Sequence, residues 1–324
     1  MKLDPRHLVQ LAVILDSGTL RVAAERLGTT QPALSRSIAM MEERIGTRLF
    51  ERSKRPLTPT DTGIELAAFG RTIRGAAERA DALSQQITTG QYGSIRLGAP
   101  PFFCDQLLSR IVGKFTLTHP EVRVVLHADY FPALVKEILN HKLDIVMGPF
   151  ELLERQSGLD VERLLQNRNV IICRPGHPLA RRKKITTADL EAAAWGGHAR
   201  ESMLSADMKS TLADLGVDQL NIVFESNSAG ALLTIVQDSD CLSVLPLLSV
   251  AHRIQAGELV PLPVATTNRG RWTGIITPAD GGQSAAMLAL RKVLARDIMA
   301  VVPLMDKIAG PVDRRAKRPG RSGN

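Results

Sequence analysis

Cysteine is scarce: the 324 residues hold three, Cys104, Cys173 and Cys241. They lie far apart and are odd in number, which argues against a disulfide framework and suits a reducing compartment. No uninterrupted apolar run reaches the roughly 18 residues a membrane span requires. The opening stretch MKLDPRHLVQLAVILDSG is apolar in part, but Asp16 interrupts it and no small-residue cleavage pattern follows. An amphipathic helix capped by Asp4, with Pro5 as its first residue, explains it better than a signal peptide. Also missing are the P-loop, GxSxG, HExxH and Gly-rich dinucleotide patterns, and the seven histidines are scattered without ligand spacing. No catalytic residue, metal site or cofactor is expected, and the expected compartment is the cytoplasm.

What the chain does have is length and an uneven charge. At 324 residues it exceeds one small module and should hold two or three domains. Of its net +8, residues 1–60 carry +4 and residues 306–324 another +4, leaving 25 charges of each sign between 61 and 305. A basic head on a neutral body fits a polyanion-binding module joined to something else.

Residues 19–45, TLRVAAERLGTTQPALSRSIAMMEERI, read as two short helices joined by a tight turn. Leu20, Ala23, Ala24 and Leu27 share one face at helical spacing. Gly28 then stands where a left-handed residue ends a helix. Thr30 can cap the next helix, and Pro32 falls in its first turn, where a missing N–H costs nothing. Leu34, Ile38, Met41 and Ile45 form a buried stripe, which leaves Gln31, Ser35 and Arg36 outward at the leading edge. A helix-turn-helix presents its second helix to the major groove in that way.

Residues 49–63, LFERSKRPLTPTDTG, read as a hairpin wing whose Arg52, Lys54, Arg55 and Thr58 can meet phosphates. A long helix over about 61–88 follows, in which Leu66, Phe69, Ile73, Ala76, Ala80, Leu83 and Ile87 alternate steps of three and four. That series predicts a dimer seam; the alternative is a helix lying on its own domain's core. After a Gly-rich hinge at 89–94, strands at 94–98, 122–127 and 144–147 alternate with helices at 105–118 and 131–140, which predicts a parallel sheet covered by helices. A second run starts at 170–174 and continues through helix 205–215, strand 221–225, helix 229–237 and strand 242–245. Strand 272–277 and helix 284–302 then resemble the first block, as if the chain crossed back. Two such lobes imply a cleft at the carboxyl ends of their strands. The tail from Asp306, with no apolar face, is expected to be disordered.

Together these motifs resemble the LysR-type transcriptional regulators: A-A-x-x-L (Ala23 to Leu27), T-Q-P-A-L-S-R-x-I (Thr30 to Ile38), E-x-x-I-G-x-x-L-F-x-R (Glu42 to Arg52), and Leu57-Thr58 with Gly63 displaced by a residue or two. Weaker matches at 119–122, 143–146, 176–179, 243–246 and 257–262 extend the likeness over about 5–305. The resemblance implies a fold that is α/β with an N-terminal all-α winged helix-turn-helix and a two-lobed effector domain of the periplasmic-binding-protein type II fold. The expected division is a DNA-binding domain at 1–60, a dimerising linker helix at 61–88 and an effector domain at 94–305. Lobe 1 of the effector domain would be 94–168 plus 270–305, lobe 2 would be 169–269, and a basic tail would occupy 306–324.

By the same resemblance, Thr30, Gln31, Pro32, Ser35 and Arg36 would face bases or their phosphates, with Arg52, Lys54, Arg55 and Thr58 on the backbone. The expected partners are double-stranded promoter DNA, a small-molecule effector, a second or fourth copy of the chain, and RNA polymerase; no membrane is expected. The effector would meet Pro100, Pro101, Phe102 and Phe103 after the first strand and Met147, Gly148 and Pro149 after the third. In the second lobe it would meet Arg200 and Ser202, and Ser226, Asn227 and Ser228. Family members often place Ser or Thr after the first strand to grip a carboxylate, where this chain has Ala99-Pro100-Pro101-Phe102. Phe102 and Phe103 suit an aromatic or partly apolar acid. For Asn227 and Ser228 a plain helix cap is the alternative, and for Arg200 a surface role. The expected function is a sequence-specific regulator gated by this effector. The alternatives are a cytoplasmic solute-binding protein of the same α/β fold and a DNA-binding redox sensor using Cys104, although no second cysteine lies near it.

Overall fold

A computed structural model of the chain describes residues 3–51, 57–89, 93–150, 153, 158–200, 202–264, 270–279 and 284–309. The N-terminal helices are set by local caps. Asp4 accepts a hydrogen bond from the Arg6 backbone N–H at 2.8 Å and opens α1 (Pro5–Ser17). Thr19 caps α2 (Leu20–Arg26), and Gly28 turns the chain at φ 59°. Thr30 accepts from the Ala33 N–H at 3.4 Å to open α3 (Gln31–Ile45), which stops at left-handed Gly46. Leu11, Ile14, Ala23, Leu34, Met41 and Leu49 make the core between these helices. Ser37, also buried, donates to Gln10 Oε1 at 2.5 Å and ties α3 to α1. Leu20, Leu27, Ile38 and Ile45 lie at the rim of this core, half-buried.

The wing is anchored at its base: the Glu51 N–H donates to Thr58 O at 2.9 Å and the Thr60 N–H to Leu49 O at 3.0 Å. Arg52, Lys54 and Arg55 lie outside the described residues. The long helix α4 (Asp61–Thr89) then packs along α1. Gly70 allows this approach, since an added Cβ would lie 2.0 Å from Leu8 O, and Gly63 allows α4 to pass the segment before the wing, where a Cβ would lie 2.3 Å from Leu49 O. Asp16, at the end of α1, receives both Arg71 (2.9 Å) and Arg74 (3.0 Å) from α4. The apolar series expected as one continuous seam is therefore divided. Leu66 and Ile73 pack against the N-terminal core, whereas Phe69, Ala76 and Ala80 stay exposed; the Leu83 and Ile87 side chains lie outside the described residues. The physical reason is that α1 covers one side of a helix long enough to serve two neighbours. Farther along, Gly75 lies against the ring of His141, where a Cβ would come within 2.3 Å, so α4 touches the next domain.

Beyond α4 the strands form two five-stranded sheets. The first has the order β2 (Arg123–Ala128), β1 (Ser94–Ala99), β3 (Ile145–Pro149), β10 (Arg271–Pro278), β4 (Leu159–Asn167). The second has the order β7 (Asn221–Ser226), β6 (Ala194–His198), β8 (Cys241–Pro246), β5 (Asn169–Cys173), β9 (Val260–Pro261). In each, three parallel strands are joined by antiparallel partners: β10 against β3 and β4, and β5 against β8 and β9. A parallel sheet was the expectation for the first run, and β2, β1 and β3 are parallel; the crossovers add antiparallel strands and make both sheets mixed. The chain passes between sheets at Arg168, and returns at Gly270 (φ 66°), where a Cβ would meet Asn167 O at 1.5 Å.

Helix α5 (Pro101–Phe103), a π-helical turn (Cys104–Leu108) and α6 (Ser109–Thr118) run continuously behind the first sheet, with α7 (Phe131–Leu139) on its other side. The second lobe carries α8 (Thr187–Glu191), α9 (Met203–Ala213), α10 (Ala229–Asp238) and α11 (Leu247–Gln255). The expected helix over 284–302 is instead α12 (Ala285–Met299) and α13 (Val302–Ala309). Pro303 explains the break, because it removes an N–H and clashes with the preceding turn. Residues 306–309, expected in a disordered tail, are helical: Met305 is buried, and Arg168 reaches Asp306 at 3.5 Å and Ala309 O at 3.0 Å. The rest of the tail, 310–324, lies outside the described residues. Among those described, no helix is long and apolar enough to cross a membrane.

Candidate functional site

Two sites emerge, one at the leading edge of α3 and one between the two sheets. On α3, Gln31, Pro32, Ser35 and Arg36 are all exposed, while Leu34 beside them is fully buried. Thr30 spends its hydroxyl on the cap. Arg36 has no ion-pair partner among the described residues, in contrast to Arg21, which pairs with Glu25. The face can therefore present a planar guanidinium and an amide without breaking internal bonds. Glu42, on the other side of α3, was not singled out from the sequence as a site residue. Its carboxylate accepts from the Leu49 N–H at 2.8 Å and from Arg48 at 2.9 Å, which fixes the start of the wing relative to the helix.

The second site is a cavity of about 570 Å³ bordered by both lobes. That is within the usual range of small-molecule sites. One wall comes from Pro100, Pro101, Phe102 and Phe103, joined by Tyr130 and by Phe131 and Pro132 at the start of α7. The other comes from His198, Ala199, Arg200, Ser202, Ser226 and Asn227, with Pro246 and Ser249 at the start of α11. Three expected residues fall elsewhere. Met147 is fully buried in the main core, because β3 keeps its side chain inside the sheet. Gly148 lies behind the Phe131 ring, where a Cβ would come within 2.9 Å. Ser228 caps α10 by accepting from the Ala231 N–H at 3.2 Å. From the strand β3, Pro149 is the residue that reaches the cavity.

Sequence reading missed the cavity floor. Asn167, Asn169, Arg271 and Thr273 come from the two crossovers and β10, and Asp207 from α9. Arg271 grips Asp207 bidentately, with Nε at 2.9 Å and Nη2 at 2.6 Å from Oδ1. Asn167 Oδ1 accepts from the Leu248 N–H at 3.0 Å, holding the first turn of α11. These pairings span more than sixty residues and leave no local trace in the sequence. Tyr130, Phe131 and Pro132, by contrast, could have been found from the rule that ligands gather at the carboxyl ends of parallel strands.

His198 is almost wholly enclosed and meets the edge of Phe102 at a centroid distance of 5.5 Å. Its Nε2 lies 2.9 Å from Val244 O, so that nitrogen carries the proton, and Nδ1 is left as an acceptor without a partner. Burial holds the imidazole below its ordinary pKa of 6.5 and keeps it neutral. As pH falls below about 6.5 the unfolded chain takes up a proton that the folded ring refuses, so stability drops until the folded value is reached. The melting temperature should therefore fall between pH 7.5 and 5.5, and His198→Gln should fall less over that interval. An equal loss in both proteins would contradict the assignment.

Burial also governs the cysteines. Cys104 donates weakly to Ala99 O at 3.4 Å, and desolvation pushes its thiol up to about 12. Cys173 is pushed up to about 11 for the same reason. Thiols of that kind carry almost no thiolate at neutral pH, the form that reacts with oxidants.

Comparison with known proteins covers both parts of the chain. Residues 5–64 match the bacterial regulatory helix-turn-helix protein family, lysR type, and residues 88–298 match the LysR substrate binding domain. The SDS degradation transcriptional activation protein of Pseudomonas sp. (strain ATCC 19151) is 34% identical over 297 residues, covering 90% of this chain and 95% of that protein. The HTH-type transcriptional regulator GalR of Pseudomonas putida is 27% identical, covering 88% of this chain and 72% of its own. Among solved structures, a full-length OxyR variant from Pseudomonas aeruginosa shares the fold with a TM-score of 0.58 at 18% identity, covering 92% of this chain and 95% of that one. Full-length CbnR complexed with its target DNA does so with a TM-score of 0.53 at 19% identity, covering 91% of this chain and 100% of that one. The chain belongs to the LysR family of DNA-binding transcriptional regulators, with a winged helix-turn-helix ahead of a two-lobed effector-binding domain.

Proposed function

We propose that this regulator reads its operator through Gln31, Pro32, Ser35 and Arg36, with Thr30 setting the helix start and Arg52, Lys54, Arg55 and Thr58 on phosphates. The observation that carries the reading is the exposed edge of α3 on a helix tied to α1 at its middle by Ser37 and to the base of the wing in its last turns by Glu42. Pairing of two chains uses the part of α4 that α1 leaves uncovered, where Phe69 is 62% exposed and Ala76 and Ala80 are also exposed. A dimer so formed presents two copies of α3 to half-sites roughly 34–36 Å apart or a multiple of it; a tetramer doubles that arrangement. Residues 1–60 serve DNA, 61–88 pairing and the remainder through α13 the effector, in the cytoplasm and in contact with RNA polymerase.

The effector occupies the cavity between the sheets, against Pro100, Pro101, Phe102, Phe103, Ser202, Ser226 and Asn227. Arg200 stands at its rim, with an 84% exposed side chain directed to Glu225. The relative from Pseudomonas sp. is described as an activation protein, and the same direction of control is proposed for this chain. Redox sensing finds no support in thiols as enclosed as Cys104 and Cys173. Fluorescence anisotropy with the intergenic DNA beside the chain's own gene tests the proposal. It should show sequence-preferring binding that weakens steeply with salt; equal affinity for scrambled DNA would refute it.

A further inference from the structure

We propose that the effector is an uncharged, largely apolar molecule carrying a hydroxyl group, an alcohol or a phenol, rather than an acid. The inference rests on the reading of the cavity as the effector site and narrows what that site accepts. Three observations support it.

The first is the state of the cations. Arg271 is committed to Asp207 by a bidentate pair, and Arg200 is directed to Glu225 at 3.4 Å. Among the described residues, each arginine on the cavity wall is thus matched by a carboxylate, and a bound acid would enter without a counter-charge of its own. Burying an unpaired carboxylate is strongly unfavourable.

The second is the loss of backbone donors. Helix N-termini grip anions through free N–H groups. On the first lobe, α5 begins with Pro101 and α7 has Pro132 at its second position, and neither residue has an N–H. On the second lobe the openings are used in part. Leu247 N–H donates to Arg168 O and Leu248 N–H to Asn167 Oδ1 at α11, while Ser202 and Ser228 cap α9 and α10.

The third is two buried polar atoms without partners on residues that line the cavity, His198 Nδ1 and Ser249 Oγ. His198 is 3% exposed and Ser249 6%. With Nε2–H given to Val244 O, Nδ1 acts only as an acceptor, and burial keeps it unprotonated. It needs a donor. A hydroxyl supplies one, whereas a carboxylate at neutral pH has no proton to give; the Ser249 hydroxyl adds a second polar atom on the cavity wall. The rings of Phe102, Phe103 and Phe131 take the apolar remainder.

The test is calorimetric titration of the full chain at pH 7.5 with three matched probes: 4-phenyl-1-butanol, 4-phenylbutyrate and 4-phenylbutyl methyl ether. The alcohol should bind at least tenfold more tightly than the acid and about fivefold more tightly than the ether, which lacks the donor. In His198→Leu the advantage of alcohol over ether should vanish. Should that variant fail to fold, His198→Phe, which keeps a ring but removes the acceptor, should abolish the same advantage. An acid that binds as tightly as the alcohol, an ether equal to it, or an alcohol that does not bind would overturn the proposal. Anisotropy on the same samples separates the two readings. Specific DNA binding with the acid preferred leaves the regulator standing and removes the ligand class, whereas loss of specific DNA binding strikes the regulator itself.

Discussion

Gly70→Ala should destabilise the N-terminal domain by about 3 kcal/mol, the upper part of the range for overpacked sites. At a free helical position the same change stabilises by up to about 1 kcal/mol, because alanine is the better helix former. Here the sign reverses. The new Cβ would stand 2.0 Å from the carbonyl oxygen of Leu8 and 3.0 Å from the Ala12 methyl. A backbone carbonyl inside a helix cannot swing aside, so α1 must move as a unit away from α4. That motion would also pull Asp16 from Arg71 and Arg74. Gly113, in α6, is the internal control: nothing lies within 4 Å of its Cβ position, and Gly113→Ala should raise stability slightly. Urea melts followed by circular dichroism would check the pair. Two alanine variants changing stability in the same direction would show that α1 and α4 do not cross as closely as described.

Arg36→Ala should lower affinity for the specific operator by roughly 1–3 kcal/mol, the worth of one bidentate base contact. Affinity for unrelated DNA should change little, and the salt dependence by no more than about one phosphate contact. Because Arg36 is exposed with no ion-pair partner among the described residues, its removal should leave the melting temperature and the oligomeric state as they were. Arg36→Lys should not restore the preference, since an ammonium cannot reproduce the planar fork. Competition titrations with operator and scrambled duplexes measure the ratio directly. A proportional loss on both duplexes would move Arg36 from base reading to phosphate contact.

The parts legible in the sequence are those decided within a few residues. Asp4, Thr30 and Gly28 act over one helical turn, and each does in the fold what its chemistry implies. The strands missed in the sequence have long-range causes. Residues 159–167, LDVERLLQN, place Val161, Leu164 and Leu165 at steps of three and one, as a helix would, yet they lie as β4 because β10 is there to pair with them. Residues 194–198 contain two glycines that weaken any strand signal, but Gly196 is needed where a Cβ would strike the Phe224 ring at 2.3 Å. The seam on α4 shows the same limit, since periodicity gives a face but not which neighbour covers it.

Caps, turns and apolar periodicity are short-range properties, and they alone were enough to specify the helix-turn-helix, its outward edge and the alternation of strand and helix. What the cavity can hold came instead from contacts between distant segments. Arg271 meets Asp207, Asn167 meets α11 and His198 meets Val244 across separations of 64, 81 and 46 residues. Each pairing removes a charge or a donor from the wall or leaves one atom without a partner. The chemistry of the site is the remainder after those pairings, and it exists only once the two sheets have come together.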